Sequence, residues 1–452
     1  MRIHFIAVGG SAMHNLAIAL HKKGYQVSGS DDVIFEPSAG RLAKHGILPE
    51  KMGWDEAKIT MDLDAVILGM HALKDNPELL KAQELGLKIY SYPEYIYEQT
   101  KNKLRVVIGG SHGKTTITSM ILHVLNYCEK NFDYLVGAQL TGFDTMVKLT
   151  ESAPLIIIEG DEYLASPIDR RPKFHLYKAN VAVISGIAWD HINVFPTYAD
   201  YTRQFEIFID TIQPGGTLIY CSVDKDLADI AVNSHPELEK IGYEIPTHEV
   251  KDGITYLLPE RTPLRVFGDH NLMNLNAAKL VCAKLGIDSN AFDTAISSFT
   301  GAAKRLELLN AVPGTNVYKD FAHSPSKLKA TIDAVKTQFG ERKLVACIEL
   351  HTFSSLNKEF LEQYADTMKE ADLAIVYIDE KTFEHKKLTP FTKTDVQIAF
   401  NSDRILFFNN SELLSNYLLS MNFYETNLLL MSSGNFGGLD LSILARELNT
   451  LS

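Results

Sequence analysis

Cysteine is scarce in this chain and never clustered: Cys128, Cys221, Cys282 and Cys347 stand far apart, with no Cys-x-x-Cys pair. That spacing argues against a zinc knuckle and for a reducing compartment over a disulfide scaffold. Long apolar runs are missing as well, and nothing approaches the ~20 consecutive apolar residues of a membrane span. No block of Lys and Arg occurs and the formal net charge is −12, so the chain offers no broad positive surface for nucleic acid or an anionic membrane. The opening MRIHFIAVGG has one Arg and too short an apolar run for an export signal. Internal repeats and low-complexity segments are absent too. These absences predict a cytoplasmic protein with neither nucleic acid nor membrane among its partners. They do not exclude phosphate ligands, which local backbone amides hold whatever the net charge.

What is present is an α/β pattern on a multidomain scale. A chain of 452 residues is too long for one ordinary core, and about three domains are expected. Short apolar runs alternate with helical patterns throughout, as in α/β layering. The first segment reads IHFIAVGG, YQVSGSDD, DAVILGM and LKIYSYP, and fades in the polar EYIYEQTKNK. The second holds LRVVIGG, PLIIIEGDE, VAVISGI and GTLIYCSVDK before a β-rich stretch and the helical NLMNLNAAKLVCAKLG. Pro313 and Gly314 interrupt the pattern, and KLVACIEL, LAIVYI and NLLLMSSG follow. The expected domains are residues 1–100, 101–310 and 311–452.

The most informative stretch is VVIGGSHGKTTITSM, residues 106–120. A strand enters a glycine turn whose amides can approach phosphate oxygens, and a helix with its positive end follows. Gly110, Ser111, His112, Gly113, Lys114, Thr115 and Thr116 form the candidate nucleotide loop, with Lys114 reaching the terminal phosphates and Thr115 presenting a hydroxyl to Mg²⁺. Ile108 stands where the strict pattern has glycine. The next strand ends in Glu159, Asp161 and Glu162, and a later one in Asp190 and His191. Strand C-termini are where open α/β sheets place ligand groups, and Mg²⁺ takes hard oxygen donors. The start AVGGSAMHNLA, with Asp31 about 20 residues on, imitates a dinucleotide fingerprint but lacks its third glycine. The same arrangement of amides and a carboxylate serves a UDP-sugar.

Together these residues resemble the Mur ligase family of ATP-dependent amide-forming enzymes. The match runs through GSHGKTT, EGDE, the Asp190–His191 pair, GDHNLMNLNAA, KRLELL, YKDFAHSPSK and MSSGNFGGL, in family order. The resemblance implies a three-domain α/β architecture: a Rossmann-like N-terminal domain, a P-loop ATPase-like central domain and a Rossmann-like C-terminal domain. It implies ATP and Mg²⁺, two ions, as cofactors, and UDP-N-acetylmuramic acid as the acid substrate. The amine is either the tripeptide L-Ala-γ-D-Glu-meso-diaminopimelate, joined in peptidoglycan recycling, or L-alanine, joined in biosynthesis. The stretch DEY followed by IDRRPKFHLY and the ending SSGNFGG favour the tripeptide. A monomer or homodimer is implied. A P-loop ATPase or switch protein that forms no covalent product is the rival from another class.

Carried over residue by residue, the family pattern gives each position a role. Lys114 and the loop amides hold the β- and γ-phosphates; Thr115 and Glu159 hold one Mg²⁺ and His191 a second. His270, Asn271 and Asn274 face the adenine, while Arg305 and Asp320 meet phosphates and ribose. Gly9, Gly10, Ser11, Met13, Ser30, Asp31 and His71 hold the UDP-sugar. His323, a candidate catalytic base by type, and Ser324 lie toward the amine, with Arg170 and Arg171 offered to its carboxylates. The chain departs from the pattern at ELHTFSSL, where relatives carry an arginine, at the shortened run Lys304–Arg305, and at YTRQFEIF, which lacks the lysine that some members carbamylate.

Overall fold

The computed structural model describes residues 1–140, 142–189, 194–302, 305–386 and 388–448, leaving aside the side chains of 384 and 385. They form two compact units, Met1–Glu244 with Asn274–Ala295, and Ile245–Met273 with Ile296–Ser452.

The first unit holds two sheets. In the N-terminal one, β1 (Arg2–Ile6), β2 (Gln26–Ser30), β3 (Ala65–Leu68) and β4 (Ile89–Ser91) run parallel in the order β2-β1-β3-β4. The central sheet contains β5 (Leu104–Gly109), β6 (Asp133–Leu135), β7 (Val147–Lys148), β8 (Leu155–Glu159), β9 (Val181–Ile184), β10 (Thr217–Cys221) and β11 (Glu239–Tyr243). Its order is β11-β10-β9-β5-β8-β6-β7, parallel except where β7 pairs with β6. Strands such as AVIL, LIIIE and VAVI read as continuous apolar runs because helices cover both faces of a parallel sheet. β5 therefore has β8 on one side and β9 on the other, so the residues that follow these three strands converge at one edge.

The second unit has a small antiparallel sheet of β12 (His248–Lys251), β13 (Ile254–Leu257) and β14 (Thr262–Leu264). Its main sheet comprises β15 (Glu307–Val312), β16 (Thr315–Asp320), β17 (Lys343–Glu349), β18 (Leu373–Tyr377), β19 (Leu406–Phe408) and β20 (Thr426–Met431), ordered β15-β16-β20-β17-β18-β19. Alternate residues of a strand face opposite ways. Accordingly Leu428 and Leu430 join one core cluster with Val345 and Cys347, while Leu429 and Met431 join the other with Ala346 and Ile348. Residues 245–273 are grouped with this second unit.

Phe174 anchors the centre of the first unit. Fully buried, it stacks on Phe208 at 4.6 Å and meets Phe205 edge-on at 5.4 Å. Gly109 lies against it, where a Cβ would stand 3.1 Å from the ring. Truncating a buried aromatic leaves a cavity, so Phe174→Ala should cost about 3–5 kcal/mol and visibly lower the first thermal unfolding midpoint. An unchanged midpoint would show that the ring is not a structural anchor.

Candidate active site

The turn after β5 is built around two glycines that other residues cannot replace. Gly110 has φ +125° and Gly113 φ +82°; a Cβ would meet Ser185 Oγ at 2.3 Å at the first, and Asn274 Oδ1 at 2.3 Å at the second. The loop is tied to the neighbouring strand end by the Ser111 N–H donating to Gly186 O at 2.9 Å, and Ser111 Oγ meets His112 Nδ1 at 2.7 Å. Helix Lys114–Tyr127 then starts at Gly113 with no acidic residue in its first turn, which leaves its positive end available to an anion. Thr116 is buried in that first turn.

Lys114 Nζ donates to Gly110 O at 2.6 Å and to Glu162 Oε2 at 2.8 Å. Burial disfavours its charge, but Glu162, Asp161 and Glu159 more than offset this, so its pKa is raised and the ammonium stays protonated. Thr115 Oγ1 donates to Glu159 Oε1 at 2.7 Å, and the Gly137 N–H to Glu159 Oε2 at 2.7 Å. Burial pushes the Glu159 carboxyl up, opposed by these two hydrogen bonds and by Lys114. A hydroxyl and a carboxylate in contact at a glycine-rich strand–helix turn are hard-oxygen donors of the kind that Mg²⁺ takes. Asn274 is buried beside Gly113. Asp190, His191 and Lys304 lie outside the described residues.

A cavity of about 600 Å³ opens beside β1, and Gly9, Gly10, Met13, Asp31 and His71 line it. Ser30 is fully buried, with Lys58 Nζ donating to its hydroxyl at 2.9 Å. Ser11 is exposed and directs its hydroxyl to Met146 Sδ at 3.8 Å. Neither serine lines the cavity. Asp31 Oδ2 accepts the Gly9 N–H at 2.7 Å, so this carboxylate clamps the glycine loop. Sequence reasoning missed Asp32, Phe35 and Trp54 in the lining; the doubled acid in GSDDVIF was the available signal.

In the second unit, His270 carries a buried Nδ1 without a hydrogen-bond partner among the described residues. Burial lowers its pKa, and Asp320 and Arg305 are close enough to act on it electrostatically. Such a neutral, unsatisfied ring nitrogen suits an adenine. Asn271 is buried and donates to Phe267 O at 2.9 Å. Asp320 ends β16 and accepts the Leu306 N–H at 2.7 Å and the Ala322 N–H at 2.7 Å. The Arg305 guanidinium lies 5.0 Å from the centre of the Phe321 ring. His323 Nδ1 meets Phe321 O at 2.8 Å, and Ser324 occupies the N-cap position of helix Pro325–Gln338 without a side-chain capping hydrogen bond. At the ends of β17 and β20, Glu349 accepts from the Ser432 hydroxyl and the Phe436 N–H, and His351 Nε2 lies 3.3 Å from Ser433 Oγ.

The basic insertion is less free than its sequence suggests. Arg171 is bound twice to Asp169, at 2.7 and 3.0 Å, and to Glu94 at 3.3 Å. Arg170 is exposed.

Three family models match in order: the catalytic domain of the Mur ligase family over residues 2–103, the Mur ligase middle domain over 108–282, and the Mur ligase glutamate ligase domain over 304–432. The chain belongs to the Mur ligase family. Members are ATP-dependent ligases that form amide bonds. The UDP-N-acetylmuramate–L-alanine ligase of Caldicellulosiruptor bescii is 32% identical over 390 residues, covering 82% of each chain. Among solved structures, the UDP-N-acetylmuramate-alanine ligase of Thermotoga maritima superposes with a TM-score of 0.68 at 20% identity, covering 100% of this chain and 98% of its own. The UDP-N-acetylmuramate:L-alanyl-gamma-D-glutamyl-meso-diaminopimelate ligase from Neisseria meningitides gives 0.59 at 26% identity, covering 66% of this chain and 98% of its own. No described helix is long and apolar enough to cross a membrane.

Burial pushes the Asp31 carboxyl up to about 6, partly opposed by the Gly9 N–H and reinforced by Asp32. A native state that holds this proton more tightly than the unfolded chain loses stability as pH rises through the window between the ordinary value of 3.8 and about 6. Asp31→Asn removes that loss. The thermal midpoint of the variant relative to the native protein should therefore rise between about pH 4 and about pH 7; a pH-independent difference would contradict the assignment.

Proposed function

We propose that the protein joins the lactyl carboxylate of UDP-N-acetylmuramic acid to the amine of L-Ala-γ-D-Glu-meso-diaminopimelate, consuming ATP, in peptidoglycan recycling. The observation that carries the chemical reading is the contact between Thr115 and Glu159 beside Lys114, a phosphate and magnesium grip in a family of amide-forming ligases. Support for the tripeptide comes from the Neisseria structure and from DEY followed by IDRRPKFHLY. L-alanine is the second reading, favoured by the Caldicellulosiruptor relative.

A carboxylate does not acylate an amine at neutral pH, because oxide would have to leave. In the proposed route a lactyl oxygen attacks the γ-phosphorus, the bond from the β–γ bridging oxygen to that phosphorus breaks, and ADP departs. The amine nitrogen then attacks the acyl carbon, the bond from carbon to the phosphate oxygen breaks, and inorganic phosphate and a proton leave. Little covalent work falls to the protein: positioning and charge neutralisation dominate phosphoryl transfer. Lys114 and the amides of Gly110 to Gly113 orient the β- and γ-phosphates, and Thr115 and Glu159 hold Mg²⁺. That ion supplies further neutralisation of phosphoryl charge. His270, Asn271, Asn274, Arg305 and Asp320 serve the nucleotide, and Gly9, Gly10, Met13, Asp31 and His71 the UDP-sugar. His323 and Ser324 serve the amine, and residues 101–310 form the ATP domain between domains 1–100 and 311–452.

Phosphate release with ATP and UDP-N-acetylmuramic acid should be supported by the tripeptide and far less by L-alanine. Equal or faster turnover with L-alanine would move the protein to the other branch. Glu159→Gln should raise the Mg²⁺ concentration giving half-maximal rate more than it raises the KM for ATP; an unmoved magnesium curve would remove Glu159 from the metal site.

A further inference from the structure

The segment IDRRPKFHLY folds back onto the acidic end of β8. The Lys173 N–H donates to Tyr163 O at 2.9 Å, the Phe174 N–H to Asp161 O at 3.2 Å, and the Ala165 N–H to Arg171 O at 2.9 Å. Phe174 holds the return in place, packed beneath Gly109 and Gly160, where added Cβ atoms would lie 3.1 and 3.2 Å from it. The outcome is a short ion pair, Lys173 Nζ to Asp161 Oδ2 at 2.6 Å.

This pair completes a pattern. Three carboxylates stand in four consecutive residues at a strand end that is to receive a triphosphate and a carboxylate substrate. Glu159 is satisfied by Thr115 and Gly137, and Glu162 by Lys114. Asp161 Oδ1 accepts the Tyr163 N–H at 3.0 Å, and its ionic partner on Oδ2 is Lys173. We propose that Lys173 is a positioning residue whose task is to neutralise Asp161, so that the anionic substrates can approach the end of β8. Left uncompensated, Asp161 would repel both and would compete with phosphate for Lys114, on which it already acts electrostatically. The proposal rests on the reading of residues 110–116 as the ATP loop. It gives the insertion a role in phosphate entry that is separate from recognition of the amine.

The test is a mutant cycle on the full-length protein, with ADP formation measured from ATP, UDP-N-acetylmuramic acid and whichever amine supports turnover. Lys173→Met should lower kcat/KM for ATP by about tenfold while leaving the KM for the amine in place, and adding Asp161→Asn should restore it to within about threefold of Asp161→Asn alone. Lys173→Arg keeps the charge and should stay within about threefold of the native protein. A lysine that only packs the loop, or that touches substrate directly, would not be rescued by Asp161→Asn. Absence of rescue, or a Lys173→Met enzyme indistinguishable from the native one, overturns the proposal. Lys173→Gln carries the same cycle should Lys173→Met fail to fold. Lys114→Ala separates the two levels: if it retains ATP turnover, the reading of the loop fails. If it is inactive and rescue is absent, only the role of Lys173 fails.

Discussion

Two hydrogen bonds across one pair of parallel strands organise the glycine-rich turn after β5. Thr115 and Lys114 open the helix after β5, and Glu159 and Glu162 sit at or just beyond the end of β8, its neighbour in the sheet. Parallel pairing puts both strand ends at the same edge, so the register Ile108 to Glu159 is what brings a lysine and a hydroxyl within reach of two carboxylates. The glycines are a consequence of the same constraint. With φ at +125° and +82° and no room for a Cβ, Gly110 and Gly113 let the loop turn tightly enough for Lys114 to reach back to Gly110 O.

An acidic protein that handles anions has to manage its own charge locally. At the end of β8 each carboxylate has a partner, whereas the cavity beside β1 is lined by Asp31, Asp32, Glu36 and Asp75, with no Lys or Arg among the described residues that line it. There the glycine amides and the start of helix Ser11–Lys22 supply the favourable dipoles, and Asp31 spends one oxygen on the Gly9 N–H. A net charge of −12 is compatible with phosphate chemistry because these interactions act within a few ångströms, where oriented amides and single lysines outweigh distant charge.

The glycine-rich turn, the strand before it and the acidic strand end were legible in the sequence as local structure, since each rests on a local rule: apolar run, positive-φ glycine, strand-end carboxylate. Relations between distant residues were less accessible. Arg171 reads as an available cation, but Asp169 stands two residues away and Glu94 is brought to it by the fold. Ser30 reads as a ligand beside Asp31, and the fold buries it with its hydroxyl accepting from Lys58 Nζ. Lys173 reads with Arg170 and Arg171 as part of a basic insertion, but its partner Asp161 is set by the backbone return that Phe174 anchors.

The central claim is that this site activates a carboxylate by phosphorylating it. UDP-N-acetylmuramic acid carrying ¹⁸O in its lactyl carboxylate tests this directly, with the inorganic phosphate from complete turnover analysed by mass spectrometry. Attack of the carboxylate on the γ-phosphorus, followed by cleavage of the carbon–oxygen bond, predicts that one labelled oxygen passes into each phosphate released. Phosphate free of label, with product forming at the same rate, would contradict the account.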